Sequence, residues 1–392
     1  MNKITEMTIF SRVGGEGAEN YALSLSCSAP VDASSLSERT FSVFGRDIVR
    51  SYVSGIAEPG CPGPGKYIIL ELDPVSDIGR VRGMGEHINI ELPSLAVTQE
   101  EPFLWEDGTA AEPDGIRHIA LQHRNPDAER FTFFDRGTLK YNLYVPENPV
   151  PGETYPLLLF IHDAGCEGSD PRFTLYQGCG ATAFAGPQDQ ALQKCFVLAP
   201  QVRANCRMTT DDFTVTPELE EIMDTVRYVM EKYPVDPDRV LTTGQSMGCM
   251  ASCELLCRYP DFFAGALLAA GQWDPERLAK TGFRTKLWIL VSAGDRGAFP
   301  GMNAVTEALE RSGRKISRYQ WNGKAGKQTL EELARSAAAD GSPVKYTVFD
   351  RDSVATAANS GPGANHGGTW ALVYTIDAVR RWLTSQKREG KA

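Results

Sequence analysis

The sequence predicts an α/β protein, with a mostly parallel sheet flanked by helices, preceded by a small all-β sandwich. From about residue 118 onward, short apolar runs alternate with amphipathic helical stretches, the texture of a parallel sheet covered on both faces. Before about residue 115 the runs are short and β-type, broken by Gly and Pro clusters such as EPGCPGPG. The bulk numbers permit both parts, since 392 residues with 42% apolar and 23% charged content are enough for two globular domains.

In the front part, YALSLSCSAP, RTFSVFGRDIV, KYIILELD and HINIELPSLAV predict strands of an antiparallel sandwich. LWEDGTAAEPDG, residues 104–115, reads as a linker, which divides the chain into domains 1–115 and 116–392. The second domain opens with a hairpin, RFTFFDRGTLKYNLYVP. Two buried strands follow, in YPLLLFIHDAG and KCFVLAP. TPELEEIMDTVRYVMEKY is an amphipathic helix, with Thr216 as expected N-cap, Pro217 at the first helical position and acids in the first turn. The strand DRVLTTG runs into the helix MGCMASCELLCRYP; FAGALLAAG and KLWILVSAG are strands. NAVTEALERSG is a helix closed by Gly313, VKYTVFD is the last strand, and GTWALVYTIDAVRRWLTSQ is the last helix. The segment 321–343 holds a helix from Thr329 to about Ala339.

The turn in TTGQSMGCM has a chemical reason. A strand feeding straight into a helix through a very tight turn lifts the Ser246 hydroxyl above the sheet edge, and side chains at the two flanking positions would clash. Gly244 and Gly248 remove them, giving the nucleophile elbow G-x-S-x-G in its strand–turn–helix setting. The helix N-terminus also favours an alkoxide and an oxyanion. A serine nucleophile needs a base, and the base needs an orienting acid, in the chain order Ser, acid, His. Of the five histidines (His87, His118, His123, His162 and His366) only His366 follows Ser246, in the Gly-rich GPGANHGGTW. The acid belongs just past the second strand after the elbow, where Asp295 stands; Asp274, Asp350 and Asp352 are its rivals. Met247 supplies one expected oxyanion N–H, and Asp163 or Ala164 the other. His162 is expected to brace that loop, as are Glu167 and Asp170, whose charges alternatively bias the site toward neutral or cationic substrates. The helix in 321–343 either walls the pocket near His366 or is a surface excursion.

A net charge of −10 argues against nucleic acid and anionic membranes as partners, and no run of about 18 apolar residues exists. No secretory leader is visible in MNKITEMTIFSRVGGEG, so a cytoplasmic location is expected, or a secreted one if a leader was removed. Cys249, Cys253 and Cys257 fall at i, i+4 and i+8 of a helix, a spacing explained better by small buried residues than by a metal site. Without an export signal, Cys166, Cys179, Cys195 and Cys206 are expected as free thiols.

YPLLLFIHDAG, VLAPQ, the stretch DPDRVLTTGQSMGCMASCELLCRYPDFFAGALLAAG, SAGD…FP and NHGGTW together resemble bacterial carboxylesterases of the α/β-hydrolase superfamily. The branch is that of the esterases and predicted peptidases with an N-terminal immunoglobulin-like domain, near polyhydroxybutyrate-depolymerase-like and feruloyl-esterase-like proteins. YALSLSCSAPVDASSLSERTFSV resembles that front domain. The resemblance implies Ser246 as nucleophile, Asp295 as acid and His366 as base, acting on small carboxylic esters through an acyl-enzyme, with no metal or organic cofactor. One position departs from it: many relatives read G-x-S-M-G-G, and here Cys249 follows Gly248. The rival readings are a serine peptidase of the same fold, a feruloyl or acetyl esterase acting on plant cell-wall polysaccharide, and a non-catalytic binding protein. The expected partner is a small-molecule ester; self-association through the front domain is left open. Trp105, the front part's one tryptophan, weakens a sugar-binding role for it.

Overall fold

The computed structural model describes residues 2–73, 82–84, 89–137, 139–281, 283–356, 360–361 and 363–388. The chain forms two compact units, Met1–Val13 with Gly17–Arg82 and Ile90–Glu129, and Gly14–Glu16 with Gly83–Asn89 and Arg130–Ala392.

Among its described residues the first unit is all-β apart from a 3-10 turn at Ala33–Ser35 and one α-helical turn. The strands along this part of the chain are β1 (Ile4–Gly14), β2 (Gly17–Cys27), β3 (Phe41–Val43), β4 (Ile48–Ser54), β5 (Tyr67–Leu72), β6 (Arg82–Met84), β7 (Asn89–Glu91), β8 (Leu95–Gln99), β9 (Phe103–Leu104), β10 (Ala110–Ala111), β11 (His118–Ala120) and β12 (Gln122–Arg124), followed by α1 (Pro126–Glu129); Gly83–Asn89, in β6 and β7, counts with the second unit. A five-stranded sheet runs β12-β1-β2-β5-β4, and a three-stranded one β11-β8-β3. Ile9, Leu23, Leu25, Ile68 and Leu70 from the larger sheet are buried in one core with Phe41, Val43, Leu95 and Val97 from the smaller. Each such side chain contributes about 1.5–3 kcal/mol on burial. His87 and Ile88 of the predicted strand HINIELPSLAV lie outside the described residues.

Two expectations for this region are corrected. Residues 104–115 are not a free linker. β9 and β10 pair antiparallel, and Trp105, 3% exposed, packs edge-on to Phe103 with ring centroids 5.0 Å apart. Nor does the first unit stop at 115. β11 pairs with β8, and β12 pairs parallel with β1, which carries it to Glu129.

The second unit is built on one nine-stranded sheet. Its elements continue as β13 (Thr132–Asp135), β14 (Lys140–Tyr144), β15 (Tyr155–Ile161), α2 (Phe173–Tyr176), α3 (Thr182–Ala185), α4 (Pro187–Leu192), β16 (Phe196–Gln201), α5 (Glu218–Lys232), β17 (Val235–Gln245), α6 (Met247–Arg258), β18 (Gly265–Ala269), α7 (Pro275–Lys280), β19 (Lys286–Ser292), α8 (Ala298–Arg311), β20 (Ile316–Trp321), α9 (Lys327–Ala339), β21 (Val344–Phe349), α10 (Ala364–Val373) and α11 (Asp377–Thr384). The strand order is β13-β14-β16-β15-β17-β18-β19-β21-β20. Only β13 and β14 run antiparallel to their neighbours. Every residue of β15, β16 and β18 is buried, as strands covered on both faces require.

Here too the structure differs from the sequence reading in particular places. ISRYQW forms β20, an edge strand paired parallel to β21. The helix in 321–343 is therefore the β20-to-β21 crossover, α9, beginning at Lys327 rather than Thr329. Thr216 does not cap α5; its hydroxyl donates to the Arg207 and Met208 carbonyls instead. The last helix is two. α11 starts afresh at Asp377, where the N–H groups of Asp377 and Ala378 donate to the Glu331 carboxylate of α9 at 2.6 and 3.0 Å.

Candidate active site

In an open parallel sheet, the loops leaving the C-terminal strand ends converge on one rim. Here the loops after β15, β16, β17, β18, β19 and β21 supply the candidate site.

Ser246 joins β17 to α6 with φ 50° and ψ −118°. Such a conformation costs a non-glycine residue about 1–3 kcal/mol and persists only where the surroundings enforce it. Its neighbours do so. A Cβ on Gly248 would stand 2.0 Å from the Ile161 carbonyl oxygen, and one on Gly244 2.4 Å from the Gly248 carbonyl carbon, both backbone atoms with nowhere to move. Cys249 follows Gly248 directly. It is fully buried, and Gly271 opposite it leaves the room: a Cβ there would meet Cys249 Sγ at 2.6 Å.

His366 Nε2 lies 2.9 Å from Ser246 Oγ, and Nδ1 lies 2.6 Å from Asp295 Oδ2. The other Asp295 oxygen, Oδ1, accepts the N–H groups of Gly297 and Ala298 at 3.0 Å each, at the start of α8. Burial pushes the Asp295 carboxyl up, but the His366 contact and those two N–H groups outweigh it and hold it below the ordinary carboxylate value. An ionised carboxylate only accepts, so the imidazole proton sits on Nδ1 and Nε2 faces the serine hydroxyl as acceptor. The rivals for the acid are occupied elsewhere. Asp274 caps α7 by accepting from the Glu276 and Arg277 N–H groups, Asp350 accepts from Gln320, and Asp352 accepts from Asn365.

His366 does not sit in a loop; it lies in the first turn of α10. Two neighbours that the sequence reading missed hold it there. Trp370 meets the imidazole edge-on, centroids 4.9 Å apart at 86°. Asn365 Oδ1 accepts from Ser292 Oγ at 2.7 Å and from the Asp352 N–H at 2.9 Å, tying α10 to the end of β19. Trp370 was findable, since i and i+4 share a helix face; Asn365 was not, because its partners are remote in sequence.

Across the site, the loop after β15 carries Asp163 and Ala164. His162 is fully buried. Its Nδ1–H donates to the Asp163 carbonyl at 2.8 Å and its Nε2 accepts the Val202 N–H at 3.2 Å, so both ring nitrogens are committed. Glu167 accepts the Gly165 N–H at 2.7 Å, and Asp170 pairs with Arg172 at 2.6 Å, so both carboxylates are held by their own loops. The N–H groups of Ala164 and Met247 have no acceptor among the described residues. A cavity of about 290 Å³ opens over Ser246 and His366, with Ala164 and Met247 in its wall. Ala164, not Asp163, lines it. The opposite wall comes from the loop after β16 and the turn after β18: Arg207, Thr209, Asp211 and Gln272. Thr209 is 2% exposed and its hydroxyl has no partner among the described residues. No periodic pattern marks that loop in the sequence, which is why its residues went unread.

Among the described residues there is no group of three or more His, Cys, Asp and Glu side chains able to hold a metal ion. No disulfide joins the cysteines among the described residues. No helix among the described residues is long and apolar enough to cross a membrane.

Comparison with known proteins adds the following. Residues 6–111 match the family of the esterase Ig-like N-terminal domain, and residues 214–295 match the prolyl oligopeptidase family. NocK of Nocardia uniformis subsp. tsuyamanensis, an esterase by name, is 28% identical over 278 residues, covering 67% of this chain and 78% of its own. An acetylxylan esterase of Coprinopsis cinerea is 30% identical over 107 residues, which span 24% of this chain and 29% of that protein. Among solved structures, that of a thermostable esterase superposes with a TM-score of 0.80 at 23% identity, covering 98% of this chain and 100% of the other.

Proposed function

We propose, from the premise that this chain is an α/β-hydrolase with an esterase immunoglobulin-like N-terminal domain, that Ser246, His366 and Asp295 make it a serine carboxylesterase for small esters. The observation that carries the assignment is the unbroken chain Asp295 Oδ2 to His366 Nδ1 to His366 Nε2 to Ser246 Oγ, at 2.6 and 2.9 Å.

The mechanism follows from that chain. His366 Nε2 takes the Ser246 proton as Oγ bonds to the ester carbonyl carbon. The carbonyl oxygen becomes an oxyanion held by the Met247 and Ala164 N–H groups, each worth about 3–4 kcal/mol. The bond to the alcohol oxygen then breaks, and the alcohol leaves with the proton from His366. Water repeats the sequence on the acyl-enzyme: His366 takes its proton, its oxygen adds to the carbonyl, and the acid departs as Ser246 Oγ is reprotonated. Asp295 stays ionised throughout, fixing the imidazole tautomer and stabilising its cation.

The cavity of about 290 Å³ suits short acyl groups, and its mixed wall of Arg207, Asp211, Gln272, Ala164 and Met250 suits polar substrates over lipids. Cysteines that form no disulfide among the described residues fit a reducing compartment such as the cytoplasm. The test is hydrolysis of p-nitrophenyl esters from acetate to decanoate with Ser246→Ala alongside. Turnover of short esters that drops to background in the variant upholds the reading; folded wild type no better than the variant on any ester ends it. The prolyl oligopeptidase match over 214–295 favours one second reading, amide hydrolysis, which peptide p-nitroanilides in the same assay would detect.

A further inference from the structure

The two N–H groups assigned to the oxyanion come from separate segments. Ala164 follows β15 and Met247 follows β17. The ladder between those strands ends at Ile161 and Gly244, and the next residue of β17, Gln245, pairs with β18 instead. Beyond the ladder one side-chain hydrogen bond joins the segments: Gln245 Nε2–H donates to Asp163 Oδ1 at 2.9 Å. Gln245 is 1% exposed and directly precedes the nucleophile; Asp163 directly precedes Ala164. Around this bond, the Cys166 thiol donates to Asp163 Oδ1 at 3.3 Å, and the same Gln245 amide reaches Gln177 Oε1 at 3.3 Å. Burial pushes the Asp163 carboxyl up against the pull of the Gln245 amide. A carboxyl kept in such surroundings needs a reason beyond solubility.

An oxyanion site works only if both donors lie within about 2.7–3.1 Å of the place where charge develops. Their separation is therefore a quantity the fold has to hold, and here Asp163, one residue before Ala164, is bonded to Gln245, two residues before Met247. We propose that the Asp163–Gln245 bond is a strut that sets the spacing of the Ala164 and Met247 N–H groups. Asp163, through its side chain, and Gln245 are thus positioning residues for acyl transfer; this rests on the serine-esterase reading.

The experiment measures the rate at which a fluorophosphonate labels Ser246, in the full-length chain, beside p-nitrophenyl acetate turnover. In labelling, Ser246 Oγ bonds to phosphorus, fluoride leaves, His366 takes the proton, and the phosphoryl oxygen uses the oxyanion donors, so no natural ester is needed. The variants are Gln245→Met, Asp163→Leu, Asp163→Asn and the double Gln245→Met/Asp163→Leu, with melting temperatures for each. The strut predicts a fall of about ten- to a hundred-fold in labelling rate and in kcat for Gln245→Met and Asp163→Leu, with KM within two-fold, less than the loss of a whole donor. Asp163→Asn keeps an oxygen for the Gln245 amide and should recover most of the Asp163→Leu loss. The double variant should fall no further than the worse single one. Folded Gln245→Met labelled within two-fold of wild type overturns the strut, as do losses that multiply in the double variant or that Asp163→Asn fails to relieve. If Gln245→Met does not fold, the Asp163→Asn against Asp163→Leu comparison decides alone. Wild type that is labelled but hydrolyses no ester refutes the esterase reading and leaves the strut to the labelling rates; wild type that is not labelled overturns both.

Discussion

In the proposed mechanism single residues carry the chemistry, and their roles have separable signatures. Asp295→Asn would present an uncharged amide to His366 Nδ1 and allow the wrong tautomer; kcat should fall by roughly 10⁴-fold while KM changes little, as steady-state kinetics on p-nitrophenyl acetate would show. The depressed Asp295 carboxyl also predicts the shape of the pH profile. The contact with His366 and the two N–H groups hold it below its ordinary value, so protonation of Asp295 should add no second proton to the acid limb of kcat/KM, and a limb of slope two would contradict this. Gly248→Ala puts a methyl 2.0 Å from the Ile161 carbonyl oxygen; the elbow must open, at a cost of roughly 3 kcal/mol or more, read as a lower urea midpoint together with lost activity. At this scale the sequence was most legible. Ser246 and Asp295 stand just past strand ends that apolar runs mark on their own, and His366 stands in a glycine-rich stretch ahead of the last helical segment. Asn365 escaped because only the folded chain says what it touches, whereas the spacing of Trp370 from His366, four residues on one helix, was there to be read.

Elements were legible where burial is two-sided and obscure where it is not. β15, β16 and β18 announce themselves as unbroken apolar runs. β20, at the sheet edge, mixes Ser317, Arg318 and Gln320 with its apolar residues, and nothing local tells such a strand from a loop. The break between α10 and α11 was invisible for another reason: its cap, Glu331, belongs to a different helix. The end of α9 offers a test of how such joints are held. Asp340 accepts from the Ser317 and Tyr319 hydroxyls and the Ser342 N–H at 2.7, 3.0 and 2.7 Å, tying α9 to β20 and β21. These bonds lower its carboxyl from 3.8 to about 2. A depressed folded-state value stabilises the fold fully above the unfolded value, and the stabilisation is lost as pH falls through the folded one. The melting-temperature advantage of wild type over Asp340→Asn should therefore hold from pH 7 to about 4 and shrink between there and about 2. An advantage unchanged at the acid end would show that charge on Asp340 contributes nothing.

For the molecule as a whole, the class of fold was plain in the alternation of strand and helix, while the extent of the first unit was not, since a polar segment such as 104–115 looks like a linker until its strand partners are known. The thiols give a global check on burial. Cys61 is exposed, and burial pushes Cys27, Cys195 and Cys257 up to about 12. Ellman's reagent should thus titrate about one thiol quickly in the native protein and all nine after unfolding in guanidinium; several fast native thiols would refute this packing. The parallel pairing of β1 with β12, Thr8 beside Gln122, has a consequence in time. The ribosome delivers β2 soon after β1, but the strand that covers β1's other side arrives more than a hundred positions later. At about 5–20 residues per second that is roughly 6–20 s during which a nascent strand presents an open edge to its neighbours on the polysome. Glu6 and Arg12, spaced along β1, are charges well placed to keep that waiting strand from pairing with another copy of itself.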